Sequence, residues 1–228
     1  YGIITMVFSF AYAICQLISG KVIDWLGTKK GYFCAIGVWS LGACLHALCG
    51  VATEAVYADQ LTAAFGTTSL KAANALAASG DLMVAVATTS LFFFLAARCV
   101  LALGEAGNFP AAIKVTAEYF PKKDRAFATS IFNSGASIGA LIAPFTIPVL
   151  AKFFGWEMAF IIIGALGFIW MGFWVFVYKK PNENPHVNEA ELTYINQDAD
   201  TEEDPADVVD EGPKIPLWKL FTYRQTWS

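Results

Sequence analysis

Long apolar runs dominate the chain and predict membrane-spanning helices. A helix needs about 20 residues to cross the hydrocarbon core of a bilayer. Four runs contain no Asp, Glu, Lys or Arg: Tyr1–Gly20, Gly31–Thr53, Ala126–Ala151 and Met158–Tyr178. A fifth run, Leu82–Leu103, is equally apolar except for Arg98. The pattern therefore predicts an all-α, polytopic membrane bundle over residues 1–180, with helices at about 1–20, 31–53, 82–118, 124–152 and 156–178.

Composition supports the membrane interpretation over a soluble one. Hydrophobic residues make up 57% of the chain, charged residues 15%, and the mean hydropathy is +0.52. Soluble domains carry roughly a quarter charged residues, and their core helices are shorter and keep a polar stripe. The Ala-rich stretch 54–81 is predicted to be an external insertion. Residues 181–228 hold 11 Asp and Glu and predict an acidic cytoplasmic linker, disordered in part, that ends at the start of a further helix. Within this linker, residues 188–196 are compatible with a short amphipathic helix.

The basic residues predict the orientation of the bundle. Nine Lys and Arg flank the spans on one side, whereas only Lys71 and Lys152 lie on the other. Because Lys and Arg concentrate in cytoplasmic loops, the side with nine is expected to face the cytoplasm. Tyr1 is then external, and a chain that starts in the cytoplasm would need one more span before it.

Arg98 and Glu105 are the most informative residues, because they place two charges inside a membrane segment. Seven positions separate them, which puts both on nearly the same helix face, about 10 Å apart along the axis. A charge at the bilayer centre costs at least about 2.5–3.5 kcal/mol, so this face should point into the bundle or a water-filled cavity. Asn108 extends the polar face, and Gly104 and Gly107 permit a close helix neighbour.

The pair suggests a way to couple a proton to an anion. Arginine stays protonated and offers a planar fork that suits a carboxylate. A glutamate balanced between desolvation and a nearby arginine can take up a proton, which would free the arginine for an incoming anion. The alternative is a buried ion pair that only orients helices.

Three further polar residues are candidates to line a cavity. Tyr12 and Gln16 lie four positions apart in the first run, and Asn133 lies in the fourth. Asn133 is equally compatible with an interhelical hydrogen bond, and lone His46 is expected to be packed rather than functional. The five cysteines show neither metal spacing nor a disulfide framework. No metal or cofactor is expected, and the chain lacks the residue sets and phosphate-binding loop that would indicate an enzyme.

At this point the motifs resemble a known family. The stretch GKVIDWLGTKKG (Gly20–Gly31) is similar to the loop between the second and third helices of the major facilitator superfamily, although Trp25 departs from the usual basic residue. The longer stretch Leu103–Pro144, with Phe8–Gln16, resembles its anion:cation symporter branch, especially bacterial hexuronate and sugar-acid transporters. The resemblance implies helices two to six of a twelve-helix transporter plus its central linker, so the remainder of the same transporter would be a partner.

The resemblance also implies roles for the residues. Arg98 would bind the substrate carboxylate, Glu105 would couple the proton, and Tyr12, Gln16 and Asn133 would line the cavity. A cytoplasmic gate motif would comprise a set of matched residues: Gly20, Asp24, Gly27, Lys29 and Lys30. Asp24 is expected to meet a helix N-terminus. The implied protein is a multi-pass bacterial inner-membrane symporter of protons and a small organic anion such as a hexuronate, with the lipid bilayer but no nucleic acid as partner. Another small carboxylate or phosphate-like anion, or a membrane module that only supports structure or sensing, remains the alternative.

Overall fold

A computed structural model describes residues 2–75 and 80–198, apart from the side chain of residue 75, and these residues form helices and no strands. In chain order the helices are α1 (Gly2–Leu26), α2 (Thr28–Phe65), α3 (Leu70–Ala75), α4 (Asp81–Tyr119), α5 (Lys122–Phe154), α6 (Trp156–Val177) and α7 (Glu189–Ile195). A 3₁₀ turn at Pro181–Glu183 precedes α7. Five of them, α1, α2, α4, α5 and α6, are long and apolar enough to cross a membrane. The prediction of an all-α membrane bundle is confirmed.

Single glycines make the two tightest helix connections. Gly27 joins α1 to α2 with a φ of 78°, and Gly155 joins α5 to α6 with a φ of 87°. Positive φ is strained for residues that carry a Cβ, so glycine permits the chain to reverse within one residue. At the end of α4, Phe120 and Pro121 make a similarly short connection to α5. Short connections keep sequential helices next to each other in the bundle.

Helix α2 lies at the centre of the described bundle and packs against α1, α4 and α6. Small residues allow this close approach. A Cβ added to Gly104 of α4 would overlap the main chain of Trp39, and one added to Gly107 would lie 2.8 Å from the Cβ of Ala35. The close helix neighbour predicted at Gly104 and Gly107 is therefore confirmed, and it is α2. Small residues at such contacts are typical of membrane helix packing.

Helices α1 and α4 pack along their length in a constant register. In the first half of α1, the guanidinium of Arg98 lies over the ring of Phe8. Near the end of α1, Lys114 pairs with Asp24. In both contacts the two residues are 90 positions apart in the sequence. The two helices therefore run parallel and hold their polar residues side by side.

Helix α5 contrasts with its neighbours because little of it is buried. Ala128 is its one buried residue, and the middle of the helix is exposed on all sides in the described chain. Phe132 makes an edge-to-face contact with Phe109 of α4. Contacts to α4 and α6 hold α5 in place, and most of its surface is available to other groups.

Helices α1 and α2 both extend beyond their predicted ends, and α1 reaches Leu26 where the prediction ended at about residue 20. Helix α2 continues beyond residue 53 to Phe65, so the first part of the predicted insertion is helical. Its end packs with α3 and the start of α4 around Leu61, Ala73 and Val86. At the other end of the chain, Glu189–Ile195 is helical, which matches the short helix expected over residues 188–196 of the linker. The predicted disorder and further helix over residues 199–228 lie outside the described residues.

Candidate functional site

A polar stripe runs along the α1–α4 interface and contains most of the predicted site residues. Arg98 of α4 is half-buried, and its guanidinium carbon lies 5.5 Å from the centre of the Phe8 ring. Tyr12 and Gln16, also half-buried, follow Phe8 at successive spacings of four on α1. Residues four apart share one face of a helix. The α1–α4 packing therefore brings Arg98, Tyr12 and Gln16 to the same side of the bundle.

Glu105 belongs to this stripe but does not pair directly with Arg98. Within the described residues, no nitrogen of Arg98 lies within 4.0 Å of a Glu105 oxygen. The two charges still interact electrostatically, and so do Glu105 and Tyr12. The spacing along α4 explains the gap, because seven residues of helix separate the two by about 10 Å. Interpreting the two as a buried ion pair is therefore wrong for this structure, and Arg98 faces the stripe without a carboxylate partner.

Gln16 adds a second unsatisfied group to the stripe. Its Oε1 atom is buried and has no hydrogen-bond partner in the described structure. A buried carbonyl oxygen without a partner costs about 1–3 kcal/mol, so such atoms normally accept a bond from protein, water or a bound molecule. A cation that lacks a carboxylate and an amide that lacks a donor thus lie along one interface.

Asn133 lies apart from these residues. It is exposed in the middle of α5, and its main-chain oxygen accepts a hydrogen bond from Ser137. No described residue holds its side-chain amide by a hydrogen bond. Asn133 thus forms no hydrogen bond with Arg98 or Glu105, and its assignment to the cavity stays a prediction.

The predicted gate motif spans the end of α1 and the start of α2. Asp24 Oδ1 accepts a hydrogen bond from Lys114 Nζ at 2.6 Å, although 71% of the Asp24 side chain remains exposed. A cavity of about 410 Å³ next to this pair is lined by Gly20 and Pro110 as well. Asp24 thus meets a lysine of α4 where a helix N-terminus was expected. Exposed pairs of this kind contribute about 0–1 kcal/mol, so the contact can open at little cost.

The remaining gate residues frame the same turn. Gly27 supplies the positive φ that links α1 to α2. Lys29 and Lys30 are exposed at the start of α2. The main-chain oxygen of Lys29 accepts a hydrogen bond from the indole of Trp174 at 3.0 Å, which ties the turn to α6.

A hydrogen-bond network around Glu118, near the end of α4, is absent from the sequence predictions. Glu118 Oε1 accepts a hydrogen bond from Thr28 at 2.5 Å, and Oε2 accepts one from the Tyr178 hydroxyl. Burial raises the pKa of Tyr178, and its bond to the Glu118 carboxylate acts in the same direction. The network joins the ends of α2, α4 and α6. A glutamate near the end of α4 was visible in the sequence, but its partners depend on how three helices pack.

Phe8 and Lys114 are the other contributors that sequence reasoning missed. The apolar Phe8 gave no sign of function, and Lys114 counted only as one of the cytoplasmic charges. The spacing of four that runs through Phe8, Tyr12, Gln16, Gly20 and Asp24 was the available signal. No group of three or more His, Cys, Asp or Glu side chains within residues 2–75 and 80–198 is arranged to hold a metal ion.

Comparison with known proteins identifies the family. Residues 1–227 match the Major Facilitator Superfamily. The chain belongs to this superfamily. With its five helices long and apolar enough to span a membrane, the chain is a multi-pass integral membrane protein.

Its relatives include several named sugar-acid transporters. The chain is 32% identical to the hexuronate transporter of Escherichia coli strain K12, covering 100% of this chain and 43% of the relative. It is 29% identical to the galacturonate transporter of Dickeya chrysanthemi, over 100% of this chain and 54% of the relative. It is 25% identical to the D-galactonate transporter of Escherichia coli O6:H1, over 98% and 44%. The chain thus spans about half the length of the curated relatives it matches.

Proposed function

We propose that the protein transports a small organic anion across the membrane, with a hexuronate or related sugar acid as substrate, by symport with protons. The observation that supports it most is the stripe between α1 and α4. There the Arg98 guanidinium lacks a carboxylate, and the buried Gln16 oxygen lacks a donor. A sugar acid carries the matching groups, since its carboxylate suits a guanidinium fork and its hydroxyls donate to an amide oxygen.

The relatives support the same substrate class, because their names specify hexuronate, galacturonate and galactonate. We extend this to the present chain as a proposal, in bacterial inner membranes, since the named relatives are bacterial proteins. Transporters of this kind bind substrate near the bilayer midplane between two halves that move against each other. The exposed surface of α5, including Asn133, would then contribute to the cavity together with parts of the protein beyond the present chain.

Substrate choice is tested by uptake with the complete gene product in vesicles. The panel contains labelled galacturonate, glucuronate, galactonate and galactarate, with galactose as the uncharged control and inorganic phosphate as the rival anion. We expect accumulation of at least one sugar acid, none of galactose, and dependence on an inward proton gradient. Uptake of phosphate alone would assign the protein to phosphate-like anions. No uptake of any anion by correctly inserted protein would contradict a transport function.

Proton coupling is assigned to Glu105 as part of the same proposal. Its position on the stripe, within electrostatic reach of Arg98 and Tyr12, supports the assignment. Glu105→Gln keeps a similar shape but cannot release a proton. We expect the variant to exchange labelled for unlabelled substrate yet lose accumulation driven by a pH gradient, by about tenfold or more. Glu157→Gln is the matched control, because Glu157 lies in the first turn of α6 and outside the α1–α4 stripe. Full accumulation by Glu105→Gln would assign coupling to another residue.

A further inference from the structure

Four lysines converge on a cavity at the cytoplasmic end of the bundle. The cavity, of about 260 Å³, lies between the α1–α2 turn and the end of α6. Its lysines are Lys29, Lys30, Lys179 and Lys180, all exposed. Glu183 is the one carboxylate in the lining, and within the described part of the chain it makes no ion pair with them. The cavity is therefore lined by four basic residues and one acidic residue, so its surroundings carry a net positive charge.

An apolar groove adjoins this cavity. The groove, of about 370 Å³, follows α1, α2 and α4 away from the cytoplasmic end. Its lining includes Ile18, Val22 and Val38, with Leu103 at the base. Leu26 lines both the groove and the lysine cavity. The two features therefore meet, with the charged one at the membrane surface and the apolar one within the spans.

We propose that this composite site binds an anionic phospholipid of the cytoplasmic leaflet, with its phosphate among the lysines and an acyl chain along the groove. Basic pockets between membrane helices on the cytoplasmic side are typical sites for anionic headgroups. Trp25, 84% exposed next to Leu26, is placed to lie at the level of the headgroups. A soluble anion, or an acidic segment of the chain itself, would satisfy the lysines but leave the groove empty. Only an amphiphile matches both parts.

Binding is tested by native mass spectrometry of the detergent-solubilised protein. The probes are dioleoyl phosphatidylglycerol and dioleoyl phosphatidylcholine, which share acyl chains and differ in net charge. Each lysine near the surface contributes about a fivefold effect, so Lys179→Gln with Lys180→Gln should weaken phosphatidylglycerol binding by about 30-fold. This pair lies outside the gate motif. Lys21→Gln with Lys152→Gln removes the same charge from exposed positions outside the cavity and should leave binding unchanged.

The groove is tested separately with glycerol 3-phosphate as a headgroup without chains. Cys34 lines the groove and is exposed, so Cys34→Trp should fill it and weaken phosphatidylglycerol about tenfold. Leu41→Trp, exposed on α2 outside the groove, is the control. Stronger retention of glycerol 3-phosphate than of phosphatidylglycerol would show a soluble-anion site and overturn the proposal.

A measurement on the unaltered protein avoids any dependence on folding of the variants. Phosphatidylglycerol should bind more tightly than phosphatidylcholine at low salt. This preference should shrink as the salt concentration rises from about 50 to 500 mM, because salt screens the charge of exposed lysines. Equal retention of the two lipids at low salt would overturn the proposal whatever the variants do.

Discussion

At the scale of single residues, the site depends on groups that are left unsatisfied by their own chain. Arg98 rests on the Phe8 ring, a contact that stabilises a cation by about 0.5–2 kcal/mol without neutralising it. Gln16 keeps a buried oxygen without a donor. Such groups lower the stability of the fold, and proteins keep them mainly at functional sites. They are the residues at which an anionic, hydroxyl-bearing ligand would stabilise the protein.

Charge made Arg98 and Glu105 conspicuous in the sequence, since each interrupts an otherwise apolar segment. Their relation to each other was harder to predict. The helix period places both on one face, but whether they touch depends on side-chain conformation and on α1, and they do not pair. Phe8 was unpredictable because its role depends on the register between α1 and α4.

Gly104 provides a residue-scale test of the packing. A Cβ at this position would overlap the Trp39 main chain, which cannot shift as a flexible side chain can. Gly104→Ala should lower the free energy of unfolding by about 1–3 kcal/mol. Gly172→Ala on α6 meets no atom within 4 Å and should be neutral or slightly stabilising, because alanine favours helix. The two variants are compared by thermal unfolding in detergent, and equal midpoints would contradict the close α2–α4 contact.

Tyr178 provides a pH-dependent test of the Glu118 network. Its pKa is raised in the folded protein, so the folded state retains a proton that the unfolded state loses above about pH 10. The stability gained from the neutral phenol is complete below that pH and falls by up to about 1.4 kcal/mol per pH unit above it.

Tyr178→Phe removes this titration together with one hydrogen bond to Glu118. At pH 8 the variant should be less stable by about 0.5–1.5 kcal/mol. The difference from the parent should narrow above pH 10. Chemical unfolding across pH 8–11 measures both effects, and a constant difference in stability across that range would contradict the shift in the Tyr178 pKa.

At the scale of elements, the helices were predictable and their ends were not. Apolar runs identify a span, but the end of an apolar run is not the end of a helix. Helix α2 passes Glu54 and continues to Phe65 because the following residues are rich in alanine, the best helix former. Glu54 then accepts a hydrogen bond from the main chain of Leu70 at 2.8 Å, which ties the loop after α2 to its own helix.

Helix α7 shows that the start of the linker docks onto the bundle. Asn188 caps α7 by accepting a bond from the Glu191 main chain at 2.8 Å. The Tyr194 hydroxyl donates to Asp124 at 2.7 Å, and the Lys123 ammonium lies 4.4 Å from the centre of the Tyr194 ring. The sequence allowed a short helix over residues 188–196, but its contacts to the first turn of α5 depend on tertiary packing and could not be inferred from the acidic composition of the linker.

Docking of α7 is tested by limited proteolysis. Tyr194→Ala removes both the hydrogen bond and the cation–π contact, and trypsin cleavage after Lys179 should accelerate about tenfold, since cleavage follows local opening. Tyr194→Phe keeps the ring under Lys123 and should show an intermediate rate. Identical rates in the parent and both variants would show that Tyr194 does not hold the linker in place.

At the scale of the whole molecule, the helices differ in how much of their surface is packed against other described helices. Helix α2 is surrounded by partners, while the middle of α5 is exposed on all sides. The chain also spans about half the length of relatives such as the hexuronate transporter. Composition and hydropathy sufficed to predict the bundle, but the partners of α5 and Asn133 could not be predicted from this sequence.

Orientation is a whole-molecule prediction that follows from the basic residues. Cysteine placed at Lys123 should react with a membrane-impermeant maleimide only from the cytoplasmic side, and cysteine at Lys152 only from outside. The five native cysteines are free in the structure, so they are first replaced by serine or alanine. Labelling of both positions from the same side would contradict the topology.

The central claim is that Arg98 meets a sugar-acid carboxylate within the α1–α4 stripe. The most direct test measures binding of galacturonate to the complete gene product by isothermal titration calorimetry, with Arg98→Ala compared with the parent and with Lys152→Ala as the charge-matched control. The account predicts that Arg98→Ala loses at least about 100-fold in affinity, as expected when a charge-assisted bond to a carboxylate is removed, while Lys152→Ala binds normally. Unchanged binding in Arg98→Ala would contradict it.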